Sequence, residues 1–259
     1  MPQFCANLTL MFNEVPFPER FAAAAKAGFK GVEYLFPYDF PKEQLADLLA
    51  QHKLRQVLHN MPAGDWAGGE RGIACLPDRV NEFQAGVEKA ITYATALGCK
   101  QVNCLAGLTP QNVAPEKVRE TFVDNLKFAA PKCKAAGIKL LIEPINCKRD
   151  MPGFYLNYTQ QTLDIIRDTG VENLYVQYDI YHMQIMEGDL APTIEKHLAM
   201  IPHMQFADTP GRHEPGTGEI NYPYLFDFID RLGYTGWIGC EYKPLTTTGA
   251  GLDWIKPYL

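Results

Sequence analysis

The chain reads as a single (β/α)8 barrel, a closed ring of parallel strands each followed by a helix, and three observations predict it. Its 259 residues are few for two full enzymatic domains and close to the size of one such barrel. Strand-like and helix-like patterns alternate along the whole length, with no linker and no low-complexity segment. Four of the strand-like runs end in oxygen-bearing side chains, and ends of that kind converge only if the strands run parallel and close on themselves.

The stretch that organises the rest is Lys139-Leu140-Leu141-Ile142-Glu143-Pro144. It is a continuous apolar run of the sort buried on both faces of a sheet, cut off by a carboxylate and a proline that stops pairing. In chain order, Phe4 to Leu10 is a first strand ending near Asn7, and Phe17 to Gly28 carries helical spacing up to a glycine stop. Gly31 to Phe36 is the second strand, closed by Pro37; Pro41 to Gln51 is a helix and Arg55 to Asn60 the third strand. The glycine-rich segment from Met61 to Pro77 is too long for an ordinary connection and follows a strand, where barrels keep their active sites. It is expected as a lid or a pocket wall. Asp78 to Leu97 with its Gly98 stop is the next helix, Gln101 to Leu105 the fourth strand, and Pro115 to Ala136 a long helix ended by Gly137.

After the Glu143 strand come a second long segment, Ile145 to Tyr158, and a helix over Thr159 to Asp168. Tyr175 to Asp179 is the sixth strand, Ile180 to Leu198 contains a helix, and His203 to Phe206 is the seventh strand. A third long loop runs from Asp208 to Glu219. Tyr222 to Leu232 is helical, Trp237 to Glu241 is the eighth strand, and Leu252 to Tyr258 is a short closing helix. All three long loops follow strands, as an active-site face requires.

With 47% hydrophobic and 12% aromatic residues the chain buries a large core, which excludes a disordered protein. A formal net charge of -6 without any basic run gives no electrostatic footprint for nucleic acid. Seven cysteines, odd in number and without a Cys-x-x-Cys pair, are the usage of a reduced compartment. No basic-then-apolar leader and no long uninterrupted apolar window are present, so the expectation is a cytoplasmic protein that does not enter a membrane. Self-association is left open, because exposure of aromatic residues cannot be read from sequence.

Glu143, Asp179, Gln205 and Glu241, from the fifth to the eighth strands, supply four oxygen ligands and no cysteine. A hard divalent ion, Mg2+ or Mn2+ rather than zinc, suits that set. His182, three residues past Asp179 on the opening turn of a helix, is read as hydrogen-bonding substrate or orienting the ligands, although it is also spaced to ligate. A lone glutamate at a strand end usually serves a surface ion pair; four oxygen donors in register do not. Gln205 as an amide satisfying nearby backbone remains an alternative. His59 reads as a strand cap, His203 as a packed neutral histidine, and His52 and His197 as helix-surface residues.

The motifs Leu58-His59-Asn60-Met61-Pro62-Ala63-Gly64-Asp65-Trp66, Gly69-Glu70-Arg71-Gly72, Ile142-Glu143-Pro144-Ile145-Asn146, Gln177 to Gln184, Glu214 to Tyr222 and Gly239 to Pro244 together resemble the hydroxypyruvate isomerase family. That family includes the 2-oxo-tetronate isomerases and lies within the xylose-isomerase-like TIM barrels. The resemblance covers essentially the whole chain. It implies catalytic glutamates at Glu143 and Glu241 and metal ligands at Glu143, Asp179, Gln205 and Glu241. Related sugar epimerases carry a histidine where this chain has Gln205.

The implied reaction is proton abstraction beside a carbonyl through an enediolate, converting hydroxypyruvate to 2-hydroxy-3-oxopropanoate. Which glutamate acts first is not fixed by sequence, and a four-carbon 2-oxo-tetronate is the alternative substrate. Arg71 and Arg212, in loops over the site, are candidates for the carboxylate of a small 2-oxo-hydroxy acid. Asn60 and Lys243 complete the substrate-binding candidates. A sugar epimerase, a non-catalytic sugar-acid binding barrel and a phosphodiesterase like the apurinic endonucleases are the remote readings. The last needs more histidine ligands and a basic surface than the six histidines and acidic balance provide.

Overall fold

The computed structural model describes residues 1–258. Eight parallel strands close into one barrel in sequence order: β1 (Gln3–Asn7), β2 (Gly31–Glu33), β3 (Arg55–Asn60), β4 (Gln101–Cys104), β5 (Lys139–Ile142), β6 (Leu174–Asp179), β7 (His203–Phe206) and β8 (Trp237–Cys240). Closure is made by β1 against β8, with Cys5 beside Gly239. Around the barrel lie α1 (Phe17–Lys26), α2 (Lys42–His52), α3 (Val80–Ala96), α4 (Pro115–Ala135), α5 (Thr159–Thr169), α6 (Ile180–Met186), α7 (Leu190–His197) and α8 (Tyr222–Arg231). Among the described residues no helix is long and apolar enough to cross a membrane.

Three expectations are corrected. The second strand stops at Glu33 instead of Phe36, where its pairing with β3 shifts register. The segment from Ile180 to Leu198 holds two helices, because Gly188 and Asp189 both take positive φ (68° and 48°) and turn the chain between them. The closing segment is a 3₁₀ stretch, Asp253–Tyr258; Pro257 within it removes one backbone donor. Trp254 and Tyr258 of that stretch pack edge-on against Phe4 of β1 at 5.1 and 5.2 Å between ring centres, pinning the stretch where the ring of strands closes. Such pairs each contribute roughly 0.5–1.5 kcal/mol beyond burial.

Two cores divide the molecule. The larger one fills the layer between strands and helices. The smaller one plugs the N-terminal end of the barrel with Cys5, Val57, Leu58 and Leu141 packed by Tyr175 and Trp237. Gly31 makes room for that plug, since a Cβ there would lie 2.7 Å from the Trp237 ring. Because strand side chains alternate with period two, residues two further along carry the lumen upward from the plug. Cys5 leads to Asn7, Gly31 to Glu33, Leu141 to Glu143, Tyr175 through Gln177 to Asp179, and Trp237 through Gly239 to Glu241. The lumen is therefore apolar at the bottom and polar at the top.

Candidate active site and metal centre

Each strand places an amide or a carboxylate within one residue of its C-terminal end: Asn7, Glu33, Asn60, Asn103, Glu143, Asp179, Gln205 and Glu241 in chain order. All are buried. Glu143 and Glu241 follow β5 and β8 by one residue, so their side chains rise above the last paired rung. Ligand atoms of Glu143, Asp179, His182 and Glu241 lie within 4.8 Å of one another.

Three buried carboxylates so close together cannot all ionise without cations. Burial, then the charges of Glu241 and Asp179, push the Glu143 carboxyl well above its ordinary range. Burial likewise raises Glu241, with the Arg212 guanidinium pulling the other way. Arg212 supplies one positive charge and shares it between Glu241 and Asp150, so the carboxylates of the cluster outnumber the cations. A divalent ion suits that excess of negative charge, and the donors are hard oxygens.

Asp179 carries a sharper sign of the same thing. Its Oδ1 caps α6, accepting the amides of Tyr181 (2.7 Å) and His182 (3.2 Å), whereas Oδ2 is buried without a hydrogen-bond partner among the described residues. A buried carboxylate oxygen left without a donor is expensive unless a cation faces it. The residues present therefore fit a metal ion.

His182 is oriented by Asn146, whose own amide can be assigned from its contacts. Asn146 Oδ1 accepts the backbone amides of Arg149 (3.0 Å) and Asp150 (3.1 Å), and Nδ2 donates to Asp150 Oδ2 (2.7 Å). The same Nδ2 lies 2.7 Å from His182 Nδ1, so Nδ1 must accept and the proton sits on Nε2. Burial lowers the imidazole to about 4, consistent with a neutral ring. Its Nε2–H faces Glu143 Oε1 and Asp179 Oδ2 at 3.9 and 3.8 Å. His182 thus presents a donor to the site, not a lone pair.

The chain is similar to known proteins over its whole length. Residues 21–258 match the family model described as xylose isomerase-like TIM barrel. The chain belongs to that family. Hydroxypyruvate isomerase of Escherichia coli (strain K12) is 55% identical, with 100% of each chain covered. A 2-oxo-tetronate isomerase of Cupriavidus necator is 49% identical over 100% of this chain and 99% of its own. A crystal structure described as an AP endonuclease, family 2, from Brucella melitensis superposes with a TM-score of 0.97 at 48% identity, covering 100% of this chain and 99% of that one.

Within this xylose isomerase-like barrel the other residues named from sequence are distributed unevenly. Arg212 joins the cluster, with Nη2 2.8 Å from Glu241 Oε2 and Nη1 2.9 Å from Asp150 Oδ1. It sits at a φ of 57°, in a loop tied down by Asp208, whose carboxylate accepts the amides of Thr209, Gly216, Gly218 and Ile220. Gln205 is part of the floor: Nε2 donates to Glu33 (2.7 Å) and Oε1 accepts from Gln177 (2.5 Å), leaving that oxygen a second lone pair. Asn60 reaches the floor through Asn103, which donates to Asn60 Oδ1 and to Glu143 Oε2.

Arg71 does not contact the cluster. Its guanidinium bonds the carbonyls of Trp66 and Glu70 and stacks over the Trp66 ring at 4.4 Å. Its loop is walled in place, with Glu70 paired to Arg79 at 2.6 Å and Gly72 lying against the backbone of Leu105 and Gly107, where a Cβ would come within 2.4 Å. Lys243 is exposed beside the site rim, its amide bonded to the Arg212 carbonyl. His203 does pack within a strand, but against Glu33 at 2.8 Å. His59 is buried, donating through Nδ1 to the Asn60 carbonyl. His52 and His197 are half-buried on their helices.

Asn7, Glu33, Asn103, Asn146, Asp150 and Gln177 were not anticipated. For Gln177 the signal was present, because it stands two residues before Asp179 on one strand and so on the same face.

Proposed function

We propose that this isomerase interconverts hydroxypyruvate and 2-hydroxy-3-oxopropanoate, with Glu143 and Glu241 as its acid–base pair. The observation that carries the reading is the buried cluster itself: two glutamates from different strands, an unpartnered Asp179 oxygen and one guanidinium around a single point. Glu143, Asp179, Gln205 and Glu241 would hold the divalent ion, Mg2+ or Mn2+. When bound, that ion supplies positive charge against the oxyanions that develop on the substrate.

The chain's own residues do the rest. One glutamate removes the proton from the hydroxyl-bearing carbon; the other returns a proton to the former carbonyl carbon or shuttles it between the two oxygens, and reversal exchanges the roles. His182 Nε2–H donates to a substrate oxygen without changing charge. Arg212 holds the substrate carboxylate: besides its bonds to Glu241 and Asp150 it keeps Nε buried and unpartnered among the described residues, a donor awaiting an acceptor. Closure of the barrel floor by apolar side chains excludes water from below.

The endonuclease description of the Brucella structure belongs to that protein. Here one histidine in the cluster and a net charge of -6 support no nucleic-acid substrate. Seven free thiols support a reducing compartment such as the cytoplasm.

The test compares hydroxypyruvate with 2-oxo-tetronate, following the 3-oxo product of each by NMR, an aldehyde from the three-carbon acid and a ketone from the four-carbon one. Hydroxypyruvate is expected to show the higher kcat/KM by about tenfold or more, the size of discrimination a pocket gives against one extra carbon unit. Better turnover of the four-carbon acid would move the chain to the 2-oxo-tetronate branch, and no turnover of either would overturn the isomerase reading.

A further inference from the structure

Beneath the active site lies a carboxylate that the proposed chemistry does not use. Glu33, at the end of β2, is 1% exposed and receives donors from β1 and β7. Asn7 Nδ2 (3.0 Å) and Gln205 Nε2 (2.7 Å) converge on its Oε1, and His203 Nε2 (2.8 Å) and the Cys5 thiol (3.5 Å) on its Oε2. Its neighbour across the lumen is Gly239, where a Cβ would fall 2.3 Å from Oε1. Any larger residue at 239 would displace the oxygen that Gln205 and Asn7 share. Although Cys5, Glu33 and His203 are close enough to hold a metal, both carboxylate oxygens are already filled by donors, so the arrangement reads as a hydrogen-bonded layer.

The two amides on Oε1 reach upward into the site. Gln205 has isosteric ends, and only its partners decide which end faces which way. A carboxylate accepts and does not donate, so Glu33 holds Nε2 down and turns Oε1 toward Gln177. Gln177 in turn donates to Glu143 Oε2 at 2.9 Å. Asn7, fixed by Thr9 N on its Oδ1 (3.0 Å), extends the same Nδ2 toward Glu241 Oε1 at 3.5 Å. The buried chain Glu143, Gln177, Gln205, Glu33, Asn7, Glu241 therefore joins the two glutamates underneath the substrate position.

We propose that Glu33 is a positioning residue: it fixes the Gln205 amide so that its oxygen, and not its nitrogen, faces the metal position. This rests on the proposal that Gln205 is a metal ligand. Partners of metal ligands typically matter by 10–100-fold in affinity, and such an effect passes through the ligand that is oriented.

The experiment measures Mn2+ affinity by calorimetry on the full chain, so it needs no substrate. Glu33→Leu is expected to weaken Mn2+ binding about 10–100-fold, and Gln205→Leu to do the same. The double variant is expected to be no weaker than Gln205→Leu alone, since residues acting through one another are not additive. Glu33→Gln is expected to stay within about threefold of the parent: its oxygen can keep Gln205 and Asn7, while His203, whose Nδ1 is unpartnered among the described residues, changes tautomer to accept from the new amide.

Parent-like affinity in Glu33→Leu, or losses that add in the double variant, would overturn the proposal. If Glu33→Leu does not fold, Gly239→Ala in the parent and Gln205→Leu backgrounds asks the same question by pushing the carboxylate aside: weakened binding in the first background alone supports the role, and equal effects in both refute it. A parent chain that binds no Mn2+ would instead sink the metal reading on which this depends.

Discussion

Glu143→Gln and Glu241→Gln each lose roughly three orders of magnitude or more in kcat and remain folded. The size follows from general acid–base catalysis, which contributes about 10²–10⁴-fold per positioned group. Glutamine keeps the shape and one accepting oxygen, so Asn103 and Gln177 still bond residue 143 and Arg212 still bonds residue 241. Each variant also removes one of several like charges buried together, so thermal midpoints are expected at or above that of the metal-free parent. Because the glutamates act as a pair, the double variant is expected to be little worse than either single one. Steady-state rates with the thermal midpoint of each variant check this; a variant with near-parent kcat would remove that glutamate from the chemistry.

Asp179→Asn separates the metal from the fold. Asparagine caps helices as well as aspartate does, so the bonds to Tyr181 and His182 amides survive. The unpartnered Oδ2 becomes an NH2 group that cannot ligate. The parent is expected to gain thermal stability with Mn2+ by mass action, and the variant to show no shift at the same concentration. Metal affinity falls by at least about 100-fold, beyond the loss of a ligand's partner, and activity falls with it. In the absence of metal the variant is expected to be the more stable of the two, since a buried carboxylate oxygen without a donor is gone. Differential scanning with and without Mn2+ reads both signs, and an undiminished shift in the variant would show that Asp179 is not a ligand.

How much of this was legible depended on what followed each strand. Glu143 stands out because Pro144 ends the apolar run immediately after it, and Asp179 because a helix opens on it. Glu33 and Asn7 are equally strand ends, yet Tyr34-Leu35-Phe36 and Leu8-Thr9-Leu10 follow them. In β2 those apolar residues extend the pattern past the last paired rung, so the strand reads as running to Phe36 with Glu33 in its interior, whereas in β1 the end near Asn7 is legible but its place under the site is not. The register shift that stops β2 at Glu33 is a property of its pairing with β3, not of its own sequence. The fold was readable because period and turn signals are local. The hydrogen bonds under the site join residues as much as 234 positions apart, as Asn7 and Glu241 are, and no local pattern encodes them. Arg71 looked as eligible as Arg212 for the same reason: both are arginines in long loops, and only packing shows that one bonds its own loop while the other meets Glu241.

The most direct measurement is turnover of hydroxypyruvate by the metal-stripped chain, alone and after addition of Mg2+ or Mn2+, with the coupled reductase present. The account predicts no product from the stripped protein, recovery on adding either ion, and no recovery in Glu143→Gln or Glu241→Gln. Product formation at full rate by the stripped protein, or recovery in both glutamine variants, would contradict it.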